Sequence, residues 1–224
     1  MDSTDSRATA YSTVNRDSVH EVEIKRSRFI TYLFRVATEA QARDHIAALR
    51  KTHFDARHHC SAFILGPDRM IQRSNDDGEP SGTAGIPMLE ALAKRDTGQG
   101  TELSDVLAVC VRYFGGIKLG AGGLVRAYSD SVSQALDHSI LLRRQRLRIL
   151  ALPAPHALAA RWENELRAAG YQLEPSRWEA EHAVLQVGID DTAIHAEQLA
   201  GFTAAMTSGA GRLSPVDTRW VDLS

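Results

Sequence analysis

The sequence predicts an α+β protein, and three observations carry that prediction. Short runs rich in β-branched and aromatic residues alternate with segments whose apolar residues recur at helical spacing. One run, residues 106–111, is continuously apolar, as suits a strand covered on both faces. The second half reads strand, helix, strand, strand, helix, strand, a self-contained layer of its own.

Taken in order, residues 1–17 carry Ser, Thr, Asp and Arg with few large apolar residues, and read as a flexible tail. They lack an apolar core region, so no secretory signal is expected. Val22 and Ile24 then interleave with Glu21, Glu23 and Lys25, and the aromatic run 29–34 follows. These are two strands joined at Lys25-Arg26-Ser27-Arg28. Residues 38–51 are helical, with Thr38 as N-cap and Ala42, Ile46 and Leu49 on one face. Residues 59–65 form a strand that turns at Gly66-Pro67-Asp68 into 70–72. The loop 74–83 leads into a helix over 84–92, closed near Lys94. The strand signal of 104–113 feeds a glycine-rich segment, 115–123, and a helix over 124–136.

In the second half, a strand over 147–152 turns at Pro153-Ala154-Pro155 into a helix over 156–169. Leu158, Trp162 and Leu166 lie four apart there, and Gly170 stops it. Strands follow over 171–178 and 183–189, then a helix capped by Asp190-Asp191-Thr192 and running to about Met206. A last strand is expected over 212–221. The order βαββαβ matches the ferredoxin-like arrangement. The boundary falls at Arg143-Arg144-Gln145-Arg146, read as an exposed basic connector. The expected division is thus a tail (1–17), a first domain (18–142) and a second domain (143–224).

The 224 residues are 43% hydrophobic and 24% charged, an ordinary soluble composition. A net charge of −2 excludes a globally basic nucleic-acid-binding domain, while leaving room for a local basic surface. Splitting the chain near residue 145 leaves each half close to neutral. Cys60 and Cys110 make neither a disulfide framework nor a four-cysteine zinc site, and both sit in apolar, strand-like runs. No uncharged apolar run of about 18 residues occurs, so no membrane contact is expected and the chain reads as cytoplasmic.

Two glycine-rich loops carry the candidate chemistry. The first holds Asp76, Asp77, Gly78, Glu79, Pro80, Gly82 and Thr83. Its crowded carboxylates suit a divalent cation or acid/base work, and equally a tight turn that caps helix N–H groups. The second runs through Gly115, Gly116, Lys118, Gly122 and Gly123, between a buried strand and a helix. That layout suits an anion on backbone N–H groups, with Arg112, Lys118 and Arg126 neutralising charge, or simply close strand–helix packing. It matches neither the dinucleotide fingerprint nor a P-loop. His58 and His59 point to opposite faces of a strand and cannot easily share one ion. Cys60 has no activating neighbours in sequence, and Ser81, Ser129 and Ser131 lack the nucleophile-elbow spacing. Lys25, Arg26 and Arg28, and Arg57 with His58, form further basic patches near Phe29, Tyr32, Tyr113 and Phe114, aromatics able to stack on bases if exposed. No catalytic constellation, metal or cofactor is implied.

At these loops the sequence resembles the YigZ/IMPACT family of small translation-associated proteins. The matches are Lys25-Arg26-Ser27-Arg28-Phe29-Ile30, Asp55-Ala56-Arg57-His58-His59-Cys60, and Asp76-Asp77-Gly78-Glu79-Pro80 with Gly82-Thr83-Ala84-Gly85. The longest runs from Val111-Arg112-Tyr113-Phe114-Gly115-Gly116 to Gly122-Gly123-Leu124-Val125-Arg126-Ala127-Tyr128. The resemblance implies a first domain similar to ribosomal protein S5 domain 2 and a ferredoxin-like second domain. Such a pair is similar to the two C-terminal domains of translation elongation factor G, which contact the ribosome. The family's eukaryotic branch acts in a stress-kinase pathway through an additional N-terminal domain, which residues 1–17 are too short to supply.

The function expected is that of a non-enzymatic RNA- or ribosome-associated protein that modulates translation. One alternative is a nucleotide- or phosphate-binding enzyme using the 115–123 loop, with Asp76, Asp77 or Glu79 on magnesium. Another is a protein partner held by the open sheet of the second domain.

Overall fold

A computed structural model describes residues 8–223. It divides into two compact units, the first running to Arg143 and the second spanning Arg144–Leu223. The class is mixed α+β with antiparallel sheets.

The first unit contains β1 (Ala10–Val14), β2 (Ser18–Ile24), β3 (Ser27–Arg35), α1 (Glu39–Thr52), β4 (His58–Leu65), β5 (Ile71–Asn75), α2 (Gly85–Ala93), β6 (Val106–Tyr113) and α3 (Ala121–Asp137). Five strands form an antiparallel sheet in the order β2-β3-β6-β4-β5. β6 lies in the middle, and its continuous apolar run is explained by cover on both faces. Val106, Ala108 and Cys110 join the core under α2 and α3, while Leu107, Val109 and Val111 join the core under α1. Thr38 caps α1 as expected, its hydroxyl accepting the Gln41 N–H at 3.2 Å.

Two expectations change here. Residues 1–7 of the expected tail lie outside the described residues, but residues 10–14 form β1, with Tyr11 and Val14 buried. Its polar residues are satisfied at a distance in sequence: Thr13 Oγ1 donates to the Asp105 carbonyl, and Ser12 exchanges backbone bonds with Glu102 and Ser104. The helix expected from Leu124 instead starts at Ala121, so Gly122 and Gly123 lie in its first turn.

The second unit is built from β7 (Leu141–Ala154), α4 (His156–Ala168), β8 (Gln172–Trp178), β9 (Ala183–Asp190), α5 (Ala193–Met206) and β10 (Ser214–Leu223). β9 pairs with β7 and β8, and β10 pairs with β7. Leu150, Leu152, Leu185 and Val187 of the sheet pack on Trp162 and Leu166 of α4 and Leu199 of α5. Thr192 caps α5. The stretch expected as an exposed connector, Arg143-Arg144-Gln145-Arg146, is instead part of β7, with Gln145 only 3% exposed. Two of its arginines pair within the unit: Arg146 shares the buried Asp191 carboxylate with Arg148, and Arg144 pairs with Asp222 at 2.8 Å.

Candidate anion-binding pocket

The pocket begins with strand register. Phe29 of β3, Arg112 of β6 and His58 of β4 lie directly opposite one another, and so share one face of the sheet. Arg112 is buried in the middle of this row. Its guanidinium carbon lies 5.3 Å from the Phe29 ring centroid and 5.7 Å from that of Phe114. Nη1 donates to Glu79 Oε1 at 2.5 Å. The same carboxylate oxygen accepts the Tyr128 hydroxyl of α3 at 2.7 Å, and His58 Nε2 lies 3.9 Å away. Glu79 is therefore matched by a buried cation and a hydroxyl, the condition under which a carboxylate can be buried.

The other two acids of the loop are engaged as well. Asp76 accepts the N–H groups of Gly82, Ala84 and Gly85 at 2.7–3.0 Å, capping the start of α2. Burial pushes its carboxyl up, but the three donated hydrogen bonds outweigh this and hold it below the usual range. Asp77 behaves likewise: burial raises it, while Arg50 at 2.5 Å and the His59 N–H at 2.6 Å bring it down. Asp77 also has φ +45, and its carbonyl accepts from His58 Nδ1. The three carboxylates point to three different sets of partners. Among the described residues the oxygens of the three carboxylates do not converge as the magnesium and acid/base readings require. The capping reading accounts for Asp76, while Asp77 and Glu79 are held mainly by Arg50 and by Arg112 with Tyr128.

His58 and His59 diverge as alternation requires, His59 Nε2 donating to the His53 carbonyl at 3.1 Å. Burial pushes the Cys60 thiol far up, and that of Cys110 up to about 11, so neither is a thiolate near neutral pH.

Above the Arg112–Glu79 pair opens a cavity of about 350 Å³, lined by Arg57, His58, Pro80, Phe114, Lys118, Leu124 and the residues that start α3. Gly120, at φ +73, occupies the N-cap position, so no side chain caps α3 and its first turn contains no acid. The first N–H groups of this helix and its positive end are thus left for a ligand. Gly115 is required by close approach: a Cβ there would lie 1.9 Å from the Arg26 carbonyl oxygen. This contact, with the Gly115 N–H on Ser27 Oγ at 3.2 Å, seats the β2–β3 turn beside the glycine segment.

The cations expected from sequence fall into three groups. Arg57, His58, Arg112 and Lys118 line the cavity. Lys25 and Arg26 stand exposed on the adjoining turn, at φ +48 and +65. Arg28 is paired with Glu21 at 2.6 Å, and Arg126 is exposed on α3 but not part of the lining. Among the described residues, Lys25, Arg26, Arg57 and Lys118 meet no carboxylate, unlike Arg112. Sequence reasoning named Pro80 as part of the acidic loop but missed Leu119 and Leu124, which join it in lining the cavity. Those residues look like ordinary loop and helix positions until the chain brings them together.

Residues 25–136, which hold this whole pocket, match the family model described as Impact N-terminal domain. The IMPACT family member YvyE of Bacillus subtilis is 48% identical over 165 residues, covering 74% of this chain and 73% of that protein. The IMPACT family member YigZ of Escherichia coli is 49% identical over 116 residues, 51% of this chain and 54% of that one. A crystal structure titled only as that of a hypothetical protein superposes with a TM-score of 0.58 at 34% identity, over 93% of this chain and 98% of the other. With the family model spanning half the chain and YvyE similar along most of it, this chain belongs to the IMPACT family.

Proposed function

We propose that this chain is a non-enzymatic binding protein that engages RNA or the ribosome in the cytoplasm and modulates translation. One observation carries the reading. Cations without carboxylate partners among the described residues gather at one end of the first sheet: Arg57 and Lys118 at the cavity, Lys25 and Arg26 on the turn beside it. Basic side chains next to an open helix N-terminus suit phosphate oxygens. In this reading residues 18–142 form an S5 domain 2-like domain, and 143–224 a ferredoxin-like one. The element order βαββαβ and the strand neighbours β10-β7-β9-β8 support the second assignment.

The test is binding of the full chain to ribosomes and short RNAs across a salt series. Affinity should fall as salt rises, and each of Lys25→Ala, Arg26→Ala, Arg57→Ala and Lys118→Ala should weaken it and lower the salt slope by about 1. Arg28→Ala, which removes a cation already paired with Glu21, should do less. Absence of binding at low salt, or binding indifferent to salt, would overturn the proposal.

A further inference from the structure

Tracking an RNA backbone needs only a shallow basic groove, yet the first unit has a cavity with a chemically mixed lining. Pro80, Phe114, Leu119 and Leu124 supply apolar lining; Arg57, Lys118, His58 and the start of α3 supply polar and cationic lining, and the Glu79 carboxylate, also in the lining, is matched by Arg112. Its volume, about 350 Å³, lies at the small end of ligand pockets, which run from about 300 to 1,000 Å³. That is room for one nucleotide-sized ligand. A Cβ on Gly122 would meet nothing within 4 Å, so the helix start is open to close approach. Arg112 adds an independent sign: its side chain is 6% exposed, and its Nε has no hydrogen-bond partner among the described residues. A buried donor left unmatched is costly and calls for an acceptor. Phe114 stands 45% exposed at the same cavity, an aromatic surface on which a base can stack.

We propose that this cavity binds a nucleoside 5′-monophosphate unit, with the phosphate at the α3 N-terminus and Lys118 and the base against Phe114. The proposal rests on the anion-binding reading above and narrows it to a chain end. A phosphomonoester carries about −1.5 to −2 charges near pH 7 and offers three terminal oxygens, more than an internal diester. A single-nucleotide cavity also admits the end of a strand more readily than its middle. The same chemistry comes from two sources, a free mononucleotide or the 5′ end of an RNA.

The experiment titrates the full chain by calorimetry with AMP, adenosine, and one short RNA carrying either a 5′-phosphate or a 5′-hydroxyl. The phosphorylated member of a pair should bind about tenfold tighter or better, the worth of one charge-assisted hydrogen bond. Discrimination between the RNAs supports an RNA end; discrimination between AMP and adenosine alone supports the free nucleotide. Lys118→Ala should abolish the discrimination and Phe114→Ala should weaken both phosphorylated ligands; both side chains are exposed, so the fold should survive. Survival of the discrimination in Lys118→Ala overturns the proposal. Equal binding of the two RNAs with no preference for AMP over adenosine also overturns it, while leaving general RNA binding standing. No binding by any ligand overturns the proposal and the RNA-binding form of the reading it rests on.

Discussion

The Arg112–Glu79 pair offers the sharpest test of how the pocket is built. Arg112→Met keeps a similar apolar stem in contact with Phe29 and removes the charge. Glu79, whose side chain is 4% exposed, then keeps the Tyr128 hydroxyl at 2.7 Å, with His58 Nε2 no nearer than 3.9 Å. Removing one partner of a buried ion pair costs about 3–5 kcal/mol, because the remaining charge stays desolvated. Against a typical stability of about 5–15 kcal/mol, that is a large fraction of the total. In the double variant Arg112→Met/Glu79→Gln no buried charge remains, and the amide oxygen still accepts from Tyr128. It should recover about 2–3 kcal/mol relative to the sum of the single variants.

The assay is urea unfolding followed by two probes. All three tryptophans, Trp162, Trp178 and Trp220, lie in the second unit, so fluorescence reports that unit alone. Circular dichroism follows both, and its transition should move to lower urea. A loss under about 1 kcal/mol for Arg112→Met, or strict additivity in the double variant, would refute the argument that burial makes this pair interdependent.

Three further outcomes follow from the same geometry. Gly115→Ala should destabilise by more than about 2 kcal/mol, since its Cβ would lie 1.9 Å from the Arg26 carbonyl oxygen; Gly122→Ala, with open space there, should gain about 0.5–1 kcal/mol and yet weaken phosphate binding; thermal unfolding beside the binding assay checks both. Asp76 and Asp77 are held below the usual carboxylate range, so the unfolded chain takes up their protons first. Their contribution is complete above the unfolded value near 3.9 and is lost as pH falls through the folded values; urea midpoints should drop below about pH 4, and less so in Asp76→Asn and Asp77→Asn. Arg26→Gly relieves a left-handed residue at φ +65 and should stabilise by about 1 kcal/mol while reducing RNA affinity, read by the same titrations.

The features legible in the sequence are those whose cause is local. Thr38 and Thr192 cap helices because their hydroxyls reach N–H groups three residues on. The apolar run of β6 implies cover on both faces whatever the covering elements are. Misread features depend on partners far along the chain. Ser12 and Thr13 look like tail residues, and are buried only because residues 102–105 answer them. Arg144 and Arg146 look like surface, but Asp222 and Asp191 are brought to them by β10 and the end of β9. The start of α3 was missed because glycine is a poor helix residue, and Gly122 and Gly123 fill its first turn. In the pocket, the cations were legible as residue types, whereas which of them lack partners was not.

That last distinction decides how the net charge of −2 should be interpreted. Near the pocket the acids outnumber neither their donors nor their cations: Glu79 is matched by Arg112, Asp77 by Arg50, and Asp76 by three backbone N–H groups. Each acid is held in place by a partner within 3 Å, so its field is largely cancelled beyond the first contact. Among the described residues Lys25, Arg26, Arg57 and Lys118 have no such cancellation, and the α3 N-terminus adds to them. The potential seen by an approaching phosphate is therefore set by the pairing of side chains and not by their sum. A near-neutral chain can present a cationic site when its carboxylates are committed to other arginines and to backbone N–H groups.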